Sequence, residues 1–275
     1  MHSIQELEKM AHRARVRALE MGIEAGRMGQ AVHFGSSLSE IEILTVLYQH
    51  VLQYNVHDPE SPDRDRFFMG KAQGILGHYP ALLEAGFITK EELRNCRNDG
   101  SILLGHPTAI ELGLEYDGGS LGTAFSYAAG LSMALKRAYK ANKVYVLLGD
   151  GECDEGVFWE TVIFVAHQKL DNLTLIIDRN MLQLEDATEN MLGLGDLSNK
   201  LSAFGWRCVD VDGHDIRALL DAFDNKHEGR PFAVVAHTIK GKGISFMEHN
   251  PTWHQRRITE AEYEMACAEL GEVRL

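Results

Sequence analysis

The 275-residue sequence predicts an α/β fold, a doubly wound parallel sheet with helices on both faces. Three observations lead there. From about residue 118, apolar segments of strand length alternate with segments of helical period. The strand segments, such as "KVYVLLGD" (143–150) and "LTLIIDRN" (173–180), are apolar throughout, as a sheet covered on both faces requires. Two of them stop at Asp150 and Asn180, polar residues at the carboxyl ends where open parallel sheets bind ligands.

Taken in order, residues 4–29 carry Ile4, Leu7, Met10, Ala14 and Ala18 at helical spacing. A second helix is expected over 36–52, and a turn-rich polar loop over 58–67. Short helices are expected within 72–85 and 89–96. The run 120–140 is rich in Gly and Ala and reads as a closely packed helix opening at Ser120, a good cap. Strand 143–150, helix 158–170, strand 173–180, strand 205–213, helix 215–227 and strand 231–241 follow. With no repeat, low-complexity run or linker, residues 1–275 read as one domain, an irregular third over 1–117 and an α/β core over 118–275.

A net charge of −13 argues against nucleic acid and anionic membrane as partners, since both select a basic footprint. No apolar run approaches the ~20 residues that span a bilayer. The charged, amphipathic first twenty residues do not read as a secretory signal. Cys96, Cys153, Cys208 and Cys267 form no CxxC pair, so reduced thiols and a cytoplasmic setting are expected. Cys153 has no second Cys or His nearby to make a metal site with it.

The stretch "LLGDGECDEG" (147–156) places Asp150, Glu152, Asp154 and Glu155 within six positions. Crowded carboxylates repel unless a cation or water intervenes. Asp150 and Asn180 lie thirty residues apart with one helix between them, a βαβ unit that sets neighbouring strand ends side by side. One carboxylate and one amide oxygen are a weak set for a hard cation, but Mg²⁺ commonly takes the rest of its six oxygens from water, a backbone carbonyl and phosphates. A magnesium–diphosphate site is one reading, with Glu152 and Asp154 as solvated loop acids. A plain turn at Asp150 and a helix cap at Asn180 is the other, and pattern alone leaves both open.

The residues also resemble a family. "GDGECDEG" followed by "DRNMLQLE" is similar to the thiamine diphosphate motif that opens with GDG and closes with Asn. "AVHFGSSLSEIEILTVLY", "DRFFMGKAQG", "GHPTAIELGLEYDGGSLG" and "TIKGKGISFMEHNPTWH" resemble transketolase segments, in the same order, from about residue 31 to 254. The resemblance implies the thiamine diphosphate fold in its diphosphate-binding form. It implies Mg²⁺, with Ca²⁺ as a substitute, held by Asp150, Asn180 and the carbonyl of Leu182. Gly151 would approach the diphosphate, and Gly119 and Leu121 would lie against the pyrimidine. Glu155 would link to a glutamate of a partner module. His33, Gln73, His106 and His254 would line the channel, the three histidines serving proton transfer because imidazole titrates near neutral pH.

Three positions depart from the pattern: Gln73 replaces His, Phe34 replaces Pro and Gln255 replaces Gly. They point to a sugar other than the common pentose phosphates. The resemblance covers the first module of a transketolase, while the glutamate that activates the aminopyrimidine belongs to the second. It therefore implies a split enzyme, an α2β2 assembly with a second subunit carrying the pyrimidine-binding and C-terminal modules. Helix 120–138 and "GVFWE" (156–160) are the candidate interface, with core as their other reading. The expected activity is transfer of a two-carbon ketol unit from ketose to aldose. The α subunit of a 2-oxoacid dehydrogenase shares GDG…N but is not expected to carry "GHP", "TxKGKG" and "WH" together. A magnesium–nucleotide binding module is disfavoured by the lack of GxGxxG or GxxxxGK[ST].

Overall fold

The computed structural model describes residues 2–105, 112–116, 118–224 and 229–271. Five strands form one parallel sheet in the order β1-β2-β3-β5-β4. They are β1 Arg66–Met69, β2 Val144–Gly149, β3 Leu173–Arg179, β4 Arg207–Asp212 and β5 Phe232–His237. The expected α/β sheet is therefore present, with one correction. Residues 66 and 67, expected in a loop, open an edge strand that pairs Arg66–Met69 with Val144–Leu147. A four-residue strand whose parallel partner is so distant in sequence leaves no local signature.

Side chains of a strand point alternately to its two faces, and both faces are covered here. Phe68, Val146, Leu148, Leu175, Ile177 and Val235 pack on one side with helices α6 (Thr123–Arg137), α7 (Gly156–His167) and α9 (Leu197–Ala203). Phe67, Met69, Leu147, Ile176 and Val234 pack on the other with α1 (Ile4–Arg27), α3 (Ile41–Val46), α4 (Ile75–Ala85) and α10 (Ile216–Phe223). The short helices α2 (Phe34–Ser39), α5 (Lys90–Arg94) and α8 (Thr188–Met191) and the final α11 (Glu260–Glu269) complete the set. Helix α1 begins at a capping box, with Ser3 accepting from the Glu6 amide and Glu6 accepting from that of Ser3. Its buried stripe is Leu7, Ala11, Ala14 and Ala18.

The helix expected over 36–52 is broken. Glu40 separates α2 from α3, and a π turn over Leu47–Val51 ends the run. Helix α6 starts at Thr123 behind a left-handed Gly122, and Ser120 contributes its carbonyl, accepting from Thr123 Oγ1 at 2.7 Å, in place of a side-chain cap. Phe34, read as a departure bearing on the choice of sugar, is fully buried. Its ring packs edge-on against Trp253 at 5.6 Å. A Cβ at Gly22 of α1 would stand 2.1 Å from its Cζ, so the absence of a side chain at Gly22 makes room for the ring.

That fit yields an expected sign reversal. Ala in place of a helical Gly gains about 1 kcal/mol, while overpacking costs ~1–3 kcal/mol. Gly22→Ala is expected to lower Tm by about 2–4 °C in the wild-type background. In a Phe34→Leu background the same change should raise Tm. Equal shifts in the two backgrounds, measured by calorimetry, would show that Phe34 does not fill the space beside Gly22.

Candidate cofactor site

Four strands of the sheet end at one cleft of ≈ 440 Å³. Lys71 follows β1, Asp150 follows β2, Asn180 follows β3 and Lys240 lies just past β5. Of the residues singled out in the sequence, His33, Gln73, Gly119, Leu121, Asp150, Gly151, Asn180, Leu182 and His254 all line this cleft. His106 lies outside the described residues. Glu155 does not line the cleft; it is exposed at the N-terminus of α7. Gln255 is exposed beyond it.

Asp150 is held in place on one side. Its Oδ2 accepts from the Met181 amide at 2.8 Å, Thr188 Oγ1 at 3.2 Å and Arg179 Nη1 at 3.3 Å. Met181 has φ 66°, in the sparsely occupied left-handed region. Among the described residues, Oδ1 accepts only from the Gly151 amide at 2.9 Å, which leaves it lone-pair capacity. Burial, and then the nearby Asp178, raise the Asp150 carboxyl above its ordinary range, the condition a bound cation would relieve. Asn180 Oδ1 faces the Leu182 amide at 3.2 Å.

Lys240 was not among the sequence candidates. Its ammonium donates to the carbonyls of Leu182 and Gln183, each at 2.8 Å, and to His254 Nδ1 at 2.9 Å. Burial lowers this lysine to about 8 against the pull of Asp150. His254 is pushed down to about 4 by burial first and then by Lys240 and His33. With Nδ1 accepting from the Lys240 ammonium, the proton of the imidazole lies on Nε2. Its ring meets that of His33 edge-on at 5.4 Å.

Below the cleft lies a buried charge cluster, also unforeseen. The Lys71 ammonium meets Asp178 and donates to the Ser36 carbonyl at 2.7 Å, with the Glu40 carboxyl 2.8 Å away. Burial alone would raise Asp178; Lys71 and the hydroxyls of Ser39 and Thr238 outweigh it and hold this carboxyl below its ordinary range. Apart from Lys71, neither Glu40 oxygen has a donor among the described residues. Burial pushes Glu40 up to about 8. Glu152, expected as a solvated loop acid, is buried. It accepts from the amides of Gly122 at 3.0 Å and Gly149 at 2.9 Å, tying the segment before α6 to the end of β2. Burial raises it to about 7. The lysines stood in the quoted segments "GKAQG" and "TIKGKG"; a lysine next to glycine just past an apolar strand was the available signal.

The donor set fits a diphosphate carried with a divalent cation. Among the described residues no three His, Cys, Asp or Glu side chains cluster to hold a metal alone. One carboxylate and one amide, with the Leu182 carbonyl that here accepts from Lys240, leave ligand positions for phosphate oxygens. Ser36 Oγ is buried on the cleft wall with no hydrogen-bond partner among the described residues, and Lys240 adds a positive charge. A parallel sheet with Asp and Asn at adjacent strand ends and a buried lysine beside them defines the class: an α/β diphosphate-binding module.

Residues 8–272 match the family described as the thiamine diphosphate binding domain of transketolase. The chain belongs to that family. It is 39% identical over 270 residues to one of the subunits of an apulose-4-phosphate transketolase from Actinobacillus succinogenes, covering 98% of this chain and 97% of that protein. It is 34% identical to the 6-deoxy-6-sulfo-D-fructose transketolase subunit SqwG from a Clostridium strain, covering 96% of each. Against human transketolase the identity is 35%, over 97% of this chain but 42% of the human protein. A Campylobacter jejuni transketolase structure superposes with a TM-score of 0.89 at 27% identity, over 98% of this chain and 43% of that one. These relatives favour transketolase over the dehydrogenase and nucleotide-module alternatives.

The charge cluster generates a pH prediction. A carboxyl raised from 4.5 to about 8 on folding contributes stability that is full below pH ~4.5 and lost as pH rises through ~8. Glu40→Gln removes this dependence. The Tm of Glu40→Gln minus that of wild type should therefore grow from pH 5 to pH 8.5. A difference that stays constant across that interval would mean Glu40 is not held protonated.

Proposed function

We propose that this chain, as one domain over residues 1–275, is the diphosphate-binding subunit of a two-component transketolase that moves a two-carbon ketol unit from a ketose to an aldose. The observation that carries this reading is the match, over nearly the full length of both proteins, to chains that are themselves named as transketolase subunits. The strand-end pair Asp150 and Asn180 supplies the matching chemistry.

Asp150, Asn180 and the Leu182 carbonyl would hold Mg²⁺, or Ca²⁺ in its place. Gly151, Gly119, Leu121, Gln73, His106 and His254 would face thiamine diphosphate, with Ser36 and Lys240 added by their position in the cleft. When bound, the cofactor supplies the covalent chemistry that carries the ketol unit. The chain's own residues orient and polarise. His254 presents Nε2–H as a neutral donor because Lys240 occupies Nδ1. His33, whose ring meets it edge-on, would share hydroxyl protons of the sugar. Gln73 can donate and accept but not become cationic. Two relatives are named for apulose-4-phosphate and 6-deoxy-6-sulfo-D-fructose, which supports a ketose outside the common pentose phosphates. Gln73 is the departure that remains on the cleft wall; Phe34 is core.

The activating glutamate is assigned to a second subunit carrying the pyrimidine-binding and C-terminal modules, in an α2β2 assembly in the cytoplasm, with Glu155 as its point of contact. No helix among the described residues is long and apolar enough to cross a membrane. Within the expected interface, Phe158 is core, packed on Phe125 at 5.7 Å. The exposed apolar residues are Tyr127 of α6 and Ile163 and Phe164 of α7. Ser126 and Thr161 join the two helices at 2.8 Å. Leu121, two residues before α6, is an exposed apolar residue on the cleft lining.

Two tests follow from these assignments. Asp150→Ala, or EDTA added to wild type, is expected to abolish thiamine diphosphate binding by calorimetry; unchanged affinity in either would overturn the cation site. The chain alone is expected to give no ketol transfer with thiamine diphosphate, Mg²⁺, a ketose and an aldose. Adding the second subunit should restore it, and Tyr127→Asp with Ile163→Asp should block association at unchanged Tm. Turnover by the isolated chain, with no gain from a second protein, would overturn the split-enzyme reading.

A further inference from the structure

Lys240 lies in a loop, residues 238–243, that carries its ammonium to the cleft. The loop turns at Gly241 and Gly243, with φ of 83° and 95°. Most of its backbone groups find backbone partners: the amides of Thr238, Gly241 and Lys242 donate to the carbonyls of Arg179, Gly35 and Ile239, and the Lys240 carbonyl accepts from the His249 amide. The amide of Ile239, directly before Lys240, donates to a side chain instead, His214 Nε2 at 2.8 Å. An amide that loses its acceptor on folding is costly, so this imidazole fixes where the chain runs one residue before Lys240.

His214 is fixed in turn. It stands two residues past β4, where its own amide donates to Asp212 Oδ1 at 2.9 Å and the Gly213 amide donates to the His237 carbonyl at 2.8 Å. Since Nε2 accepts the Ile239 proton, the proton of the neutral ring lies on Nδ1. Nδ1 faces Glu42 Oε2 at 3.0 Å. Glu42 Oε1 accepts from Arg15 Nη2 at 2.6 Å. Arg15 Nε donates to the Lys242 carbonyl at 3.0 Å, two residues past Lys240. The circuit closes: Arg15, Glu42 and His214, from α1, α3 and the end of β4, hold the backbone on both sides of Lys240. Burial would raise Glu42, but Arg15 and His214 outweigh it and keep its carboxyl below the ordinary range, so it remains an acceptor on both oxygens. A Cβ at Gly243 would stand 2.6 Å from Arg15 Cδ, so the guanidinium arm lies directly against the loop.

We infer that Arg15, Glu42 and His214 form a positioning relay that sets the affinity of the cleft for a divalent cation and diphosphate by fixing Lys240. The inference rests on the cleft's reading as a thiamine diphosphate site. These residues touch neither cation nor diphosphate; they act through the one lysine. His214→Phe keeps a ring of similar size and removes the acceptor. Glu42→Gln keeps the shape but leaves one oxygen for two donors, so either Arg15 or His214 faces an amide NH₂.

The test is titration of thiamine diphosphate with Mg²⁺ into the chain assembled with its second subunit, alongside Tm without ligand. His214→Phe and Glu42→Gln are each expected to weaken binding about tenfold, the scale on which supporting partners tune a ligand site. In a Lys240→Met background each should weaken it no further, because residues that act through a shared partner are not additive. If His214→Phe does not fold, Glu42→Gln carries the same comparison. The same loss in both backgrounds would mean a general structural role and overturn the relay, as would unchanged affinity in the single variants. If Lys240→Met and Asp150→Ala both bind like wild type, the cleft is not the diphosphate site and the relay falls with it.

Discussion

A single buried ammonium, that of Lys71, joins the parts of the fold that make the cleft. It follows β1, meets Asp178 near the end of β3, takes the Ser36 carbonyl from α2 and lies beside Glu40 at the junction of α2 and α3. Two carboxyl groups and one ammonium share a site from which water is excluded. One ammonium neutralises one carboxylate; the other carboxyl lowers its energy by keeping its proton, which is why Asp178 is depressed and Glu40 is raised. Removing Lys71 or Asp178 leaves an uncompensated charge, a cost of about 3–5 kcal/mol. The helical layer on that face is therefore registered to the sheet by charge as well as by apolar packing.

The same arithmetic governs the rim. Lys240, lowered to about 8 by burial, has its three donors engaged by two carbonyls and an imidazole. Asp150 is raised, and His254 is lowered to about 4. Each charged form is held in a less favourable state than it would have in water. A cation and a diphosphate entering together would supply the missing positive charge to Asp150 and the missing negative charge to Lys240. A cleft so poised suits a ligand that brings both signs of charge.

Size compensation matters as much as charge. Phe34 fits because Gly22 has no side chain and Trp253 offers a perpendicular ring. Trp253 sits one residue before His254, so the core contact and the cleft residue move as one piece. The residue before Phe34 is His33, whose ring meets that of His254. An apparent departure from the motif thus works from behind the cleft, by supporting the pair of imidazoles that line it.

The sequence by itself determined the α/β class and the strand-end placement of Asp150 and Asn180, because these depend on local pattern: unbroken apolar runs, glycines at turns, and a fixed spacing across one βαβ unit; the other expected cleft-lining positions came from the resemblance of its motifs to transketolase segments. It did not reveal β1, whose four residues become a strand only by pairing with Val144–Leu147. It did not reveal that Glu152 is buried, that Phe34 is core, or that burial lowers His254, since burial depends on which distant elements pack above a residue. Lys71, Lys240 and His214 were visible as letters and silent as to role. An ammonium or an imidazole acquires its function from its partners, and those partners lie on other strands and helices. Tertiary structure decided them because electrostatic energy in a protein interior depends on distance in space and on the exclusion of water, neither of which is written in the order of residues.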